Sequence, residues 1–145
     1  PEGLFASERT ALGSCKKAIV AVLGSAALKY RDKATHEQEV LAAASDMIMD
    51  VFAMESAILR TEKLAASKGE ANCALQIDAA RVFASDAIER IERNAKHALA
   101  AMAEGDELRT MLAMLRRFMK FTPVNTVAAR RRIAESITEA GRYNL

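Results

Sequence analysis

The chain is predicted to be all-α: an antiparallel, up-and-down bundle of three long helices followed by two shorter ones. Three observations predict it. Alanine, leucine, methionine, glutamate, lysine and arginine, the good helix formers, dominate the 145 residues. Proline occurs only at Pro1 and Pro123, and β-branched runs, which would favour a sheet, are absent. Apolar residues recur at spacings of three and four over long stretches, with short connections between them.

The first helix is expected from about Ser7 to Arg31, with Ser7 as N-cap and Glu8 complementing the dipole in the first turn. Leu12, Cys15, Ile19, Val22, Leu23, Ala26 and Tyr30 form its apolar stripe. Gly13 and Gly24 lower helix stability, and close approach of a neighbouring helix is their expected compensation. The second helix is expected from Thr35, where Thr35 and Gln38 have capping-box spacing. Val40, Ala44, Met47, Val51, Met54, Ile58, Thr61 and Ala65 continue it as an unbroken heptad, and Gly69 ends it.

The third helix is expected over about Ala71 to Glu104. One apolar row is Ile77, Ala84, Ile91 and Ala98; the other is Ile88, Ala95 and Met102. Gly105 should end it and Asp106 should cap the fourth, whose apolar face is Leu108, Met111, Leu112, Leu115, Phe118 and Met119. Thr122 followed by Pro123 predicts the start of a fifth helix, proline at the first helical position having no N–H to leave unpaired. Val124, Val127, Ala128, Ile133, Ile137 and Ala140 should face inward, and Gly141 should stop the helix.

Residues 1–145 thus read as one domain with a sizeable core. The net charge is +2, but Arg109, Arg116, Arg117, Lys120, Arg130, Arg131, Arg132 and Arg142 face only four acids after Gly105 (Asp106, Glu107, Glu135, Glu139), so the C-terminal end is the basic end. Cys15 and Cys73 lie inside helical patterns without zinc spacing and read as buried, reduced thiols of a cytosolic protein. No signal peptide is visible, and no apolar run approaches the ~20 residues of a spanning helix. An opening at Pro1 rather than methionine suits a piece of a longer protein.

Candidate reactive groups are few. Asp46 and Asp50 stand one turn apart on the second helix, and Asp50 borders the apolar face. A di-metal bundle would need Glu-x-x-His motifs on facing helices; none is present, and His36 and His97 have no acidic partners at the required spacing. A structural role fits better. Arg81 shares the row of Ile88, Ala95 and Met102, and an unpaired charge near a core is costly, so Asp50 and Arg81 are expected to pair across the second and third helices. Arg116, Arg117, Lys120, Arg130, Arg131 and Arg132 are candidate surface contacts, although helical geometry spreads the last three over about 200°. Salt bridges within the domain or a solvated face are the plainer reading. Nucleic acid is not expected, since aromatics are few and no binding motif occurs. Five of the seven methionines fall on core rows. There is no G-x-S-x-G and no glycine-rich phosphate loop.

The run Ala44-Ser45-Asp46-Met47-Ile48-Met49-Asp50-Val51-Phe52-Ala53-Met54 resembles a helix in the C-terminal extension of very-long-chain acyl-CoA dehydrogenases, bacterial members included. That family shows Ala-Asp-x-x-Ile/Val-Asp-Leu-Tyr-Ala-Met there; Asp46, Asp50, Ala53 and Met54 match, and Phe52 stands where tyrosine is common. The tail from Phe121-Thr122-Pro123-Val124-Asn125 through Arg130-Arg131-Arg132-Ile133-Ala134 is similar to the ending of bacterial members. The resemblance implies an FAD-dependent parent enzyme of fatty acid β-oxidation that passes electrons to an electron-transfer flavoprotein. Its catalytic glutamate and flavin contacts would lie in a core preceding this domain, so no catalytic, cofactor-binding or metal residue is carried over. The resemblance further implies packing on that core, a homodimeric parent, a cytoplasmic location and a peripheral membrane contact, for which the basic fourth and fifth helices are the candidates. The competing expectation is a free-standing helical adaptor. A domain detached from a core should expose a broad apolar face; an adaptor need not.

Overall fold

A computed structural model describes residues 2–145. Five α-helices follow in order: α1 Ala6–Tyr30, α2 Gln38–Lys68, α3 Ala74–Met102, α4 Gly105–Phe118 and α5 Thr126–Ala140. Short 3₁₀ turns, Arg31–His36 and Glu70–Cys73, join α1 to α2 and α2 to α3. The described residues contain no strand. α2 runs antiparallel to α1 and α3, which run parallel to each other, and the three long helices enclose one core. α4 packs on α3 and α1, and α5 packs on α3.

The helical rows account for that core. On α2 the buried positions are Val40, Ala44, Met47, Val51, Met54, Ile58, Thr61 and Ala65, the whole heptad. On α3 both rows are buried, joined by Ala80, Ser85, Ala87 and Leu99. α1 buries Leu12, Cys15, Ile19, Val22 and Ala26, and adds Glu8, Ala11 and Ala18. Met47, Met54 and Met102 are fully enclosed, while Met111 and Met119 pack against the core from outside. Flexible thioethers fill the irregular gaps between three close helices.

Helix ends depart from the expected chemistry in four places. α1 starts at Ala6, with Phe5 rather than Ser7 at the cap and no side-chain bond. Phe5 is completely buried, so a hydrophobic anchor, not a hydroxyl, sets the start. The box of Thr35 and Gln38 does not form: residues 31–36 turn as a 3₁₀ helix and Glu37 precedes α2. Gly105 opens α4 instead of ending α3, and exposed Asp106 pairs with Arg109 at 2.8 Å. α5 begins not at Pro123 but after Asn125, whose Oδ1 accepts the Ala128 N–H at 3.0 Å. Asparagine satisfies an orphan amide that Thr122 is too far away to reach. Gly69 (φ 85°) and Gly141 (φ 62°) close α2 and α5 as expected.

Three packing expectations are corrected as well. Gly13 and Gly24 are exposed, and a Cβ on either would meet nothing within 4 Å among the described residues, so the expected close approach of a neighbouring helix is not found there. Leu23 lies at the rim of the α1 stripe and is partly exposed. Val127 and Ala140 of α5 face solvent and Ala129 is the buried residue, because ion pairs from Arg130 and Arg132 to α3 fix the rotation of that helix.

One further reading changes. From Ala6 into the following turn, α1 reaches a mean hydropathy of 1.4, long and apolar enough by length and composition to cross a membrane. Alanines raise that mean without a run of large apolar residues, and in the fold this helix supplies about a quarter of the core residues.

Candidate interaction surface

Ion pairs set the register between helices. On the α1–α2 seam, Arg9 pairs with Glu62, its Nε donating at 2.9 Å, and Lys16 donates to Glu55 at 2.8 Å. Two rungs seven residues apart on each helix mark antiparallel neighbours. The hydrogen bond from Arg9 holds the Glu62 carboxyl below its ordinary range and raises the Arg9 guanidinium in turn. At the other end, Lys29 of α1 donates to the Met102 carbonyl and the Tyr30 hydroxyl reaches the Ala101 carbonyl at 3.5 Å. These bonds serve carbonyls in the last turn of α3 that have no partner within their own helix.

Asp50 and Arg81 do not pair. Asp50 accepts from Arg90, two bonds from Nε at 3.1 Å and one from Nη2 at 2.7 Å. The carboxylate bond raises the Arg90 guanidinium above its ordinary value, and the guanidinium also lies over the Phe83 ring. Arg81 sits nine residues nearer the α3 N-terminus, a displacement of roughly 13 Å at 1.5 Å per residue. There it meets the start of α1: it donates to the Leu4 carbonyl at 3.1 Å, approaches the Glu8 carboxylate at 3.6 Å and lies over the Phe5 ring. Glu8 is 4% exposed, so it, and not Asp50, is the buried acid that Arg81 compensates. Asp46 is exposed and forms no hydrogen bond or ion pair among the described residues.

The basic C-terminal end divides in two. Arg130 binds Asp86 at 2.6 Å and Arg132 binds Asp78 at 2.7 Å, tying α5 to α3; the Asp78 bond raises the Arg132 guanidinium. Arg116, Arg117, Lys120 and Arg131 are exposed and outside the ion pairs among the described residues. Sequence reasoning missed Asp78, Asp86 and Arg90, and gave Glu8 only a role toward the helix dipole, because each gains its partner from a helix tens of residues away.

A cleft of about 530 Å³ opens between the starts of α1 and α5 and the N-terminal part of α3. Its charged lining is Glu8, Asp78, Arg81 and Arg132, two acids and two bases already paired with each other, which leaves no net charge to recognise an ion. Cys15 and Cys73 are both completely buried. Burial, with a contribution from the Asp50 charge, pushes the Cys15 thiol up to about 12, so it is not a poised nucleophile. Among the described residues, no three His, Cys, Asp or Glu side chains gather as a metal site.

The surface has one marked asymmetry. Of the nine large hydrophobic residues exposed among those described, seven lie on α1 and α2 and none on α3. The bundle is all-α, with both thiols buried and its large exposed apolar residues concentrated on two helices. Residues 14–117 match the model of the family described as acyl-CoA dehydrogenase, C-terminal domain, and the chain belongs to that family. It is 38% identical over 143 residues to a probable acyl-CoA dehydrogenase of Bacillus subtilis (strain 168), covering 99% of this chain and 24% of that protein. It is also similar to the crystal structure of an acyl-CoA dehydrogenase complexed with FAD from Bacillus anthracis, with a TM-score of 0.95 and 36% identity over 100% of this chain and 25% of that one. The chain therefore spans about a quarter of the length of each relative.

Proposed function

We propose that this domain is the C-terminal accessory module of a longer, FAD-dependent acyl-CoA dehydrogenase and that it performs no chemistry itself. The observation that supports this reading is the collinear similarity of the whole chain to one quarter of two acyl-CoA dehydrogenases. In the parent enzyme, oxidation of the acyl-CoA α,β bond and electron delivery to an electron-transfer flavoprotein belong to the part outside these residues. The module packs on that part and stabilises the homodimer of a cytoplasmic enzyme. Arg116, Arg117, Lys120 and Arg131 form its basic outer surface and give the parent a salt-sensitive contact with anionic membranes.

An antibody to this domain, used to capture the native protein from its source cells, tests the reading. A protein several times heavier than 15.8 kDa with a bound-flavin absorption spectrum is expected. A colourless protein of 15.8 kDa would overturn the reading and favour a free-standing helical adaptor.

A further inference from the structure

α2 carries two faces. Met47, Val51, Met54, Ile58 and Thr61 point into the bundle. At about 100° per residue, Ile48, Phe52 and Leu59 fall on the flank of that stripe and Met49 behind it, and all four are exposed. A helix with one packed and one solvated face would place polar residues at those positions. The neighbouring helix repeats the pattern. Val20, Leu23 and Leu28 of α1 are exposed, and exposure across the seven residues runs from 36% at Leu23 to 81% at Leu28.

The two sets are side by side. The Lys16–Glu55 and Arg9–Glu62 rungs fix an antiparallel register in which Val20 and Leu23 stand level with Phe52 and Ile48. Val20 and Leu23 of α1 and Ile48, Phe52 and Leu59 of α2 thus flank a single seam, whereas Leu28 stands beside Glu107 and Met111 of α4. Gly13, Val20, Gly24 and Leu28 share the outer side of α1, and a Cβ at either glycine would meet nothing within 4 Å. Two glycines that weaken a helix and serve no close contact among the described residues leave room for another backbone to come close from outside.

From this we infer that the outer α1–α2 face, centred on Val20, Ile48 and Phe52, is the surface on which the preceding part of the parent chain is seated. The inference rests on the proposed accessory role. The occupant follows from what stands beside this domain: in both relatives about three quarters of the chain lies outside the matching region, and this family is the C-terminal domain. A covalently attached partner is present at high effective concentration, so an apolar seam of this kind is covered in the whole protein without needing high intrinsic affinity.

The test is made in the full-length parent enzyme. A photoreactive benzophenone amino acid replaces Phe52, and a second sample carries it at Glu89, an exposed position on α3. Both are irradiated as mixtures of heavy- and light-isotope protein with vesicles of one third phosphatidylglycerol, then digested and mapped by mass spectrometry. Position 52 is expected to cross-link within one chain to peptides outside these 145 residues, and position 89 is not. Cross-links from position 52 only to a second copy, only to lipid, or to nothing would each overturn the inference. In parallel, Phe52→Asp with Val20→Asp should release the domain to a limiting protease at least about tenfold faster; unchanged release would overturn it too. A native protein of 15.8 kDa would remove the parent chain itself, a failure distinct from a long chain whose benzophenone finds no partner.

Discussion

Arg90 grips Asp50 with both arms of its guanidinium, Nε reaching both carboxylate oxygens at 3.1 Å and Nη2 reaching Oδ1 at 2.7 Å. Planar two-point contacts of this kind add geometric specificity to charge attraction, so the pair locks α2 against α3 at one register. Asp50 is largely covered while the Arg90 side chain is 39% exposed. Removing the acid leaves a guanidinium that can turn toward water. Asp50→Ala should therefore lower stability by about 1–2 kcal/mol, below the ~3–5 kcal/mol of an enclosed pair. Urea unfolding of Asp50→Ala, Arg90→Ala and the double variant checks this: the double variant should lose less than the sum of the singles. Additive losses would mean that the two residues do not interact.

The opposite change at Arg81 should cost more, because here the acid is the enclosed partner. Arg81→Met keeps an apolar body beside the Phe5 ring but leaves buried Glu8 without a nearby cation. Solvent access to the guanidinium moderates the loss, which should be about 2–3 kcal/mol. Adding Glu8→Gln should recover at least half of it in the same urea titration. No recovery would mean that Arg81 acts mainly through the Leu4 carbonyl.

The seam between α1 and α2 predicts an acid-sensitive stability. The Glu62 carboxyl is held below its ordinary 4.5 by the Arg9 hydrogen bond. Its contribution is thus present above that value and is lost as pH falls through the folded-state value, where the unfolded chain already binds the proton. The Arg9 guanidinium is shifted upward, so its own contribution fades only at extreme alkaline pH. Wild type should melt higher than Glu62→Gln at pH 7, and the gap should narrow as pH falls below 4.5. A gap of constant size across that range would show that the carboxylate charge is not what matters.

The bundle was legible in the sequence wherever a long helix buries a regular stripe. The α2 heptad and both α3 rows are buried to the last residue because packing against two neighbours demands that periodicity. What escaped depends on which helix lies opposite. Asp50 faces Arg90 rather than Arg81 by the relative slide of two helices, a quantity that apolar spacing alone does not contain. The helix starts escaped for a related reason: buried Phe5 outweighs Ser7, and Asn125 outweighs the Thr122-Pro123 signal once the connection from α4 is spanned. The outer α1–α2 face was present in the sequence as Val20, Ile48 and Phe52, but only the structure shows that they stay exposed once the five helices have packed.

Arg31 identifies the place where the fold carries backbone strain. It follows α1 with φ 50° and ψ −123°, the mirror image of an extended conformation, which glycine adopts freely and a residue with a Cβ does not. Among the described residues it is the one non-glycine with positive φ. Its side chain is exposed and forms no ion pair among them, so little holds it there except the geometry of the turn into α2. Arg31→Gly relieves the Cβ conflict but adds unfolded-chain entropy, and the conflict is the larger effect. The substitution should raise stability by about 0.5–1 kcal/mol, whereas Arg31→Ala keeps the Cβ and should stay within about 0.5 kcal/mol of wild type. Urea midpoints for the two variants decide it: a glycine variant no more stable than the alanine variant would mean that the strain is absorbed by neighbouring turn residues.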